Sequence, residues 1–87
     1  MFVILTYDVK QSRQSKVRKI CRKYLHHVQK SVFEGHLTES QIALLKGELK
    51  NCVDTDEDAL CIYKIPYYRN LIKDELGICK ANITKYL

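Results

Sequence analysis

The chain has 87 residues, 46% of them hydrophobic and 29% charged, with one proline, three glycines and a formal net charge of +5. These figures describe one small globular domain and exclude a disordered linker, a low-complexity segment or a multidomain enzyme. A chain this short buries only about 60% of its unfolded surface, so its core is marginal and a second copy is the natural supplement.

Phe2–Tyr7 reads FVILTY, β-branched and aromatic and apolar almost throughout. A strand covered on both faces at the centre of a sheet reads this way. The apolar run Met1–Leu5 is too short to span a bilayer and lacks a charged leader and a cleavage site. It is read as structure, which implies a cytoplasmic protein with no membrane contact.

Asp8 ends that strand. From about Ser12 to Leu25, Val17, Ile20, Cys21 and Tyr24 fall at the i, i+3, i+4, i+7 positions of an amphipathic helix. Between Val9 and Phe33 there is no acid, yet the stretch holds Lys10, Arg13, Lys16, Arg18, Lys19, Arg22, Lys23 and Lys30. With no acid interleaved, these bases are expected to form a one-sided positive field suited to a polyanion, most often nucleic acid. The contrasting reading is a solvated helix face that only keeps the chain soluble.

His27–Leu37 returns to β-type residues, with a turn near Lys30–Ser31 that splits it into two short strands. Thr38 and Gln41 then form a capping-box pattern, and Leu37 and Ile42 are spaced as a hydrophobic staple. Ile42, Leu45, Leu49 and Cys52 or Val53 supply the buried face of this second helix. An acidic loop with Asp54, Asp56, Glu57 and Asp58 leads into the strand Ala59–Ile65, which Pro66 ends. Leu76–Cys79 and Ile83–Leu87 are weaker strand signals.

The order predicts an α+β, ferredoxin-like βαββαβ fold: an antiparallel sheet, two helices on one face and an extra C-terminal strand. Residues 1–87 form a single domain, and residues 66–87 form a tail that covers or pairs with a dimer partner. The sheet face away from the helices needs a cover, and a second copy of the chain is the simplest one.

Asp8 stands where a site would stand, after a central strand and beside the all-basic segment. A carboxylate there could hold Mg²⁺ near a phosphate, but one carboxylate is a poor anchor for an octahedral oxygen shell. A two-fold dimer that brings two Asp8 carboxylates to one ion removes the difficulty. The plainer role is a turn or cap residue. His26, His27 and His36 offer metal-independent acid–base chemistry on an RNA 2′-hydroxyl, or simple phosphate contact or exposure. Tyr63, Tyr67 and Tyr68 could stack on bases or meet a dimer partner. Cys21, Cys52, Cys61 and Cys79 lack zinc-ligand spacing and are expected to be reduced thiols filling core gaps. No P-loop, dinucleotide-binding or nucleophile-elbow motif is present.

The opening FVILTYD at 2–8, the helix SKVRKICRKYL at 15–25 and the block VQKSVFEGHLT at 28–38 together resemble the CRISPR-associated Cas-two family. The match runs along residues 1–65, and GICK at 77–80 is similar to that family's late strand. The resemblance implies a homodimer of the antiviral defence system of bacteria and archaea. It implies a Mg²⁺- or Mn²⁺-dependent endonuclease on single-stranded RNA or double-stranded DNA. It also implies a bridge for the Cas-one integrase in a heterohexamer-type complex that inserts spacers. On this basis Asp8 is the metal ligand, contributed by both protomers, and Tyr7, Ser31 and Phe33 share its site. His27 stands where the family often has a basic residue. Lys10, Arg13, Lys16, Lys19, Arg22, Lys23, His27 and Lys30 are the expected nucleic-acid contacts. A non-catalytic DNA-binding scaffold and a toxin-type ribonuclease of the same fold are the alternatives.

Overall fold

The computed structural model describes residues 1–66 together with 72, 74 and 76. Most of the tail and of the weaker strand signals, with Tyr67, Tyr68 and Cys79, lie outside the described residues. The order is β1 (Phe2–Asp8), α1 (Gln11–Tyr24), β2 (His26–Gln29), β3 (Val32–His36), α2 (Glu39–Lys50) and β4 (Ala59–Ile65). The strands form one sheet in the order β2-β3-β1-β4, with every neighbouring pair antiparallel. This is the ferredoxin-like arrangement, with β1 inside the sheet as its apolar run requires.

Alternation along β1 sends Val3, Leu5 and Tyr7 into the core under the helices. Phe33 of β3, Val17 and Cys21 of α1, and Ile42, Leu45 and Leu49 of α2 complete that core. Each such Val, Leu, Ile or Phe side chain contributes roughly 1.5–3 kcal/mol on full burial. Gly35 lets β3 approach the end of α1, since a Cβ there would lie 3.2 Å from Leu25 Cδ2. The opposite face carries Phe2, Ile4 and Thr6, with Tyr63 opposite Ile4 and Cys61 opposite Thr6 on β4.

The two helices start differently. At α2 the Gln41 amide donates to Thr38 Oγ1 at 3.2 Å, and the Thr38 amide donates to Gln41 Oε1 at 2.8 Å. That is the expected capping box, and both staple residues, Leu37 and Ile42, are buried. At α1, Lys10 occupies the cap position without a side-chain bond, and the first turn has no acid. The helix ends at Leu25, whose extended backbone turns the chain into β2, and Arg22 and Lys23 in its last turn complement the helix dipole. The Lys23 ammonium and the Tyr24 hydroxyl both donate to Glu48, tying α1 to α2.

The cysteine expectation needs correction. Among the described cysteines, Cys21 is buried, Cys52 is half-buried against the core and Cys61 is exposed, and all three are free thiols. Cys61 falls on the sheet face away from the core because it is out of phase with Leu60 and Ile62, which pack against the core. No helix among the described residues is long and apolar enough to cross a membrane.

Candidate functional site

β1 runs one residue further than the sequence suggested, so Asp8 is its last residue, exposed and paired with Ala59 of β4. Beside it the end of β1, the second turn of α1 and the β2–β3 turn converge on a cleft of about 260 Å³. Tyr7, Asp8, Val9, Gln14, Arg18, Lys30 and Ser31 line it.

The turn carrying Lys30 and Ser31 is held from two sides. The Tyr7 amide donates to the Ser31 carbonyl at 3.1 Å, and the Tyr7 hydroxyl donates to the Lys30 carbonyl at 3.4 Å. His27 Nε2 lies 2.8 Å from the same carbonyl. The His27 ring stacks on Phe33 with centroids 4.7 Å apart, and Phe33 stacks with Tyr7 at 6.3 Å. Burial raises the Tyr7 pKa, against the nearby positive charge of Arg18 and Arg22, so its hydroxyl stays protonated and donates at neutral pH.

The structure therefore brings Tyr7, Asp8, Lys30 and Ser31 together and sets Phe33 behind them. Phe33 has no exposed surface, so it acts through the rings it supports. His27 is occupied by Phe33 and the Lys30 carbonyl, which makes it a support of the turn. His36 pairs with Phe2 at the far end of β1, about 20 Å from Asp8 at roughly 3.3 Å per residue. His26 pairs with Glu34, which is opposite Ile4 in the middle of β1. The three histidines thus form no acid–base pair at the Asp8 cleft.

Arg18 and Gln14 were not placed at this site from sequence. Their i, i+4 spacing on the flank of the apolar stripe is the signal that would have found them.

The basic helix is less unpaired than its sequence indicates. Arg13 donates through Nε to Asp58 Oδ2 at 2.5 Å and through Nη2 to Glu57 Oε2 at 2.9 Å. Lys23 is taken by Glu48. No acid is interleaved in this stretch, but partners reach it from α2 and from the acidic loop, far along the chain. Lys10 contributes its amide to Asp58. Lys16, Lys19 and Arg22 remain exposed, and no salt bridge among the described residues engages them. Lys16, Lys19 and Lys23 also line a second groove of about 340 Å³, with Ile20, Asn51 and Cys52.

For a metal, the described residues hold no group of three or more His, Cys, Asp or Glu side chains. At the cleft one chain offers the Asp8 carboxylate and the Ser31 hydroxyl. Oxygen donors of this kind suit Mg²⁺ or Mn²⁺, but two side chains leave most of an octahedral shell unfilled.

A family model described as CRISPR associated protein Cas2 matches residues 1–70. The chain belongs to the CRISPR-associated Cas2 family. A relative from Thermodesulfovibrio yellowstonii, named a CRISPR-associated endoribonuclease Cas2, is 42% identical over 79 residues, covering 91% of this chain and 90% of the relative. A Methanocaldococcus jannaschii protein of the same kind is 42% identical over 83 residues, covering 95% of this chain and 73% of its own. Among solved structures, one described as cas2 superposes with a TM-score of 0.82 at 38% identity, covering 94% of this chain and 92% of the other. Streptococcus pyogenes Cas2 superposes with a TM-score of 0.74 at 30% identity, covering 88% of this chain and all of the other. The matched residues 1–70 include the strand, the basic helix and the turn that form the cleft.

Proposed function

We propose that this Cas2 family member is a metal-dependent endoribonuclease that works as a homodimer. The observation that carries this reading is one exposed carboxylate, Asp8, sharing a cleft with Arg18, Lys30 and Ser31. The relatives' name, endoribonuclease, supports the reaction class. Asp8 of each protomer would hold a hydrated Mg²⁺ or Mn²⁺, which when bound activates water and offsets charge on the phosphate. Arg18 and Lys30 supply positive charge at the scissile phosphate, and the Ser31 hydroxyl offers a hydrogen bond to it. Tyr7 holds the turn that presents Lys30 and Ser31. The dimer supplies the second Asp8 carboxylate, with water completing the oxygen shell, and covers the outer sheet face, where Tyr63 is 56% exposed.

A second role is compatible with the first. Lys16, Lys19 and Arg22 are exposed cations of α1, fitted to hold duplex DNA as a scaffold for a Cas-one-type integrase during spacer insertion.

The test is Asp8→Asn, which keeps the side-chain volume and removes the charge. The variant is expected to dimerise and bind nucleic acid as wild type does, and to lose Mg²⁺-dependent RNA cleavage by at least 100-fold (~3 kcal/mol of barrier). Cleavage that survives the change, or that runs equally in EDTA, would leave Asp8 as the end of a strand and nothing more.

A further inference from the structure

The cap that α1 lacks locally is supplied from 48 residues away. Asp58 Oδ1 accepts the Lys10 amide at 2.9 Å and Arg13 Nη2 at 3.0 Å. Its Oδ2 accepts Arg13 Nε and, at 2.9 Å, the Asp54 amide. Four donors thus meet a carboxylate that has about four lone-pair directions, so its acceptor capacity is filled. Its side chain has no exposed surface, covered by the groups that bind it.

This clasp lies directly beside Asp8. Asp8 pairs with Ala59, the residue that follows Asp58. Val9 is buried, and its carbonyl accepts from Gln14 Nε2 at 3.4 Å. The chain from Asp8 to Lys10 therefore has three consecutive anchors: the β-ladder, the core and the Asp58 carboxylate. The last of these also ties the start of α1, whose Gln14 and Arg18 line the cleft, to the loop that leads into β4.

We infer that Asp58 and Arg13 are positioning residues for Asp8, holding its turn so that its carboxylate meets a divalent cation preorganised. The inference rests on the proposed role of Asp8. Fixing a ligand's orientation from behind raises metal affinity because the ligand loses less freedom on binding. Asp58→Asn keeps the shape but weakens the hold on Arg13 and Lys10, while Arg13→Lys keeps the charge and loses the two-pronged guanidinium. Glu57→Gln changes only the exposed arm of the network and serves as a control.

The test uses the full-length homodimer with Mn²⁺ alone as probe, read by paramagnetic broadening of the Asp8 amide resonance. Asp58→Asn should weaken Mn²⁺ binding at Asp8 by about tenfold, the lower end for outer-shell partners of metal ligands. Arg13→Lys should fall between that and wild type, and Glu57→Gln should match wild type. In cleavage assays at a fixed Mg²⁺ level, kcat should drop with KM for RNA unchanged. Should Asp58→Asn not fold, Arg13→Gln carries the same expectation with Asp58 still on the Lys10 amide. Broadening present in wild type and unchanged in the clasp variants would overturn this inference alone. Broadening absent from wild type would overturn the metal reading of Asp8 and this inference with it.

Discussion

Asp58 shows how far one carboxylate's surroundings can set its chemistry. The Arg13 guanidinium and the Asp54 and Lys10 amides hold it well below the usual carboxylate range, against the cost of desolvation. A depressed folded pKa contributes stability above the unfolded value near 3.9 and loses it as pH falls through the folded one. Wild type is therefore expected to melt higher than Asp58→Asn by a constant margin above about pH 5. That margin should shrink progressively as pH falls below about 4. Calorimetry of both proteins from pH 7 to pH 3 checks this, and a margin that grew toward acid would contradict the ion pair. Arg13 was legible as a base but not as a clasp, because its partner lies 45 residues away. Cys21 shows the converse, since its place on the apolar stripe of α1 was readable from spacing alone. Burial pushes its thiol pKa up to about 12, so it stays a neutral packing group.

Among the elements, those governed by local chemistry were legible and those governed by distant contacts were not. The Thr38–Gln41 box, the Lys30–Ser31 turn and the strand Ala59–Ile65 each carry their signal within a few residues, and the structure has all three. The start of α1 carries none, because its cap belongs to the acidic loop. The same contrast explains the cleft: Asp8 was read from its strand, whereas Arg18 needed the helix to be set against β1. The local signals also predict local costs. Thr38→Ala removes the acceptor of the Gln41 amide and leaves the box half-made, at a cost of about 1 kcal/mol. For a domain of this size that lowers the melting midpoint by roughly 4–8 °C. Thr38→Ser should recover most of the loss, since its hydroxyl accepts the same amide. A thermal melt in which Thr38→Ala matched wild type would mean that the staple of Leu37 and Ile42 alone starts α2.

At the scale of the molecule, the question is how a net charge of +5 is spent. Part of it is internal: Arg13 belongs to the Asp58 clasp and Lys23 to the bridge with Glu48. Arg18 and Lys30 are committed to the cleft beside Asp8. What remains on the outer surface of α1 is Lys16, Lys19 and Arg22, three cations per chain and six in the proposed dimer. Each phosphate they neutralise releases condensed counterions, so log K for duplex DNA should fall with log[salt] at a slope of about −5. Lys16→Glu with Arg22→Glu should weaken binding similarly on every sequence and flatten the slope, because phosphate contacts carry no base information. The same double variant should keep its fold, since both side chains are exposed and neither joins a salt bridge among the described residues. Fluorescence anisotropy across a salt series measures both effects. A wild-type slope near zero, or a loss confined to some sequences, would show that the cations of α1 serve solubility and that nucleic acid reaches the Asp8 cleft by another face.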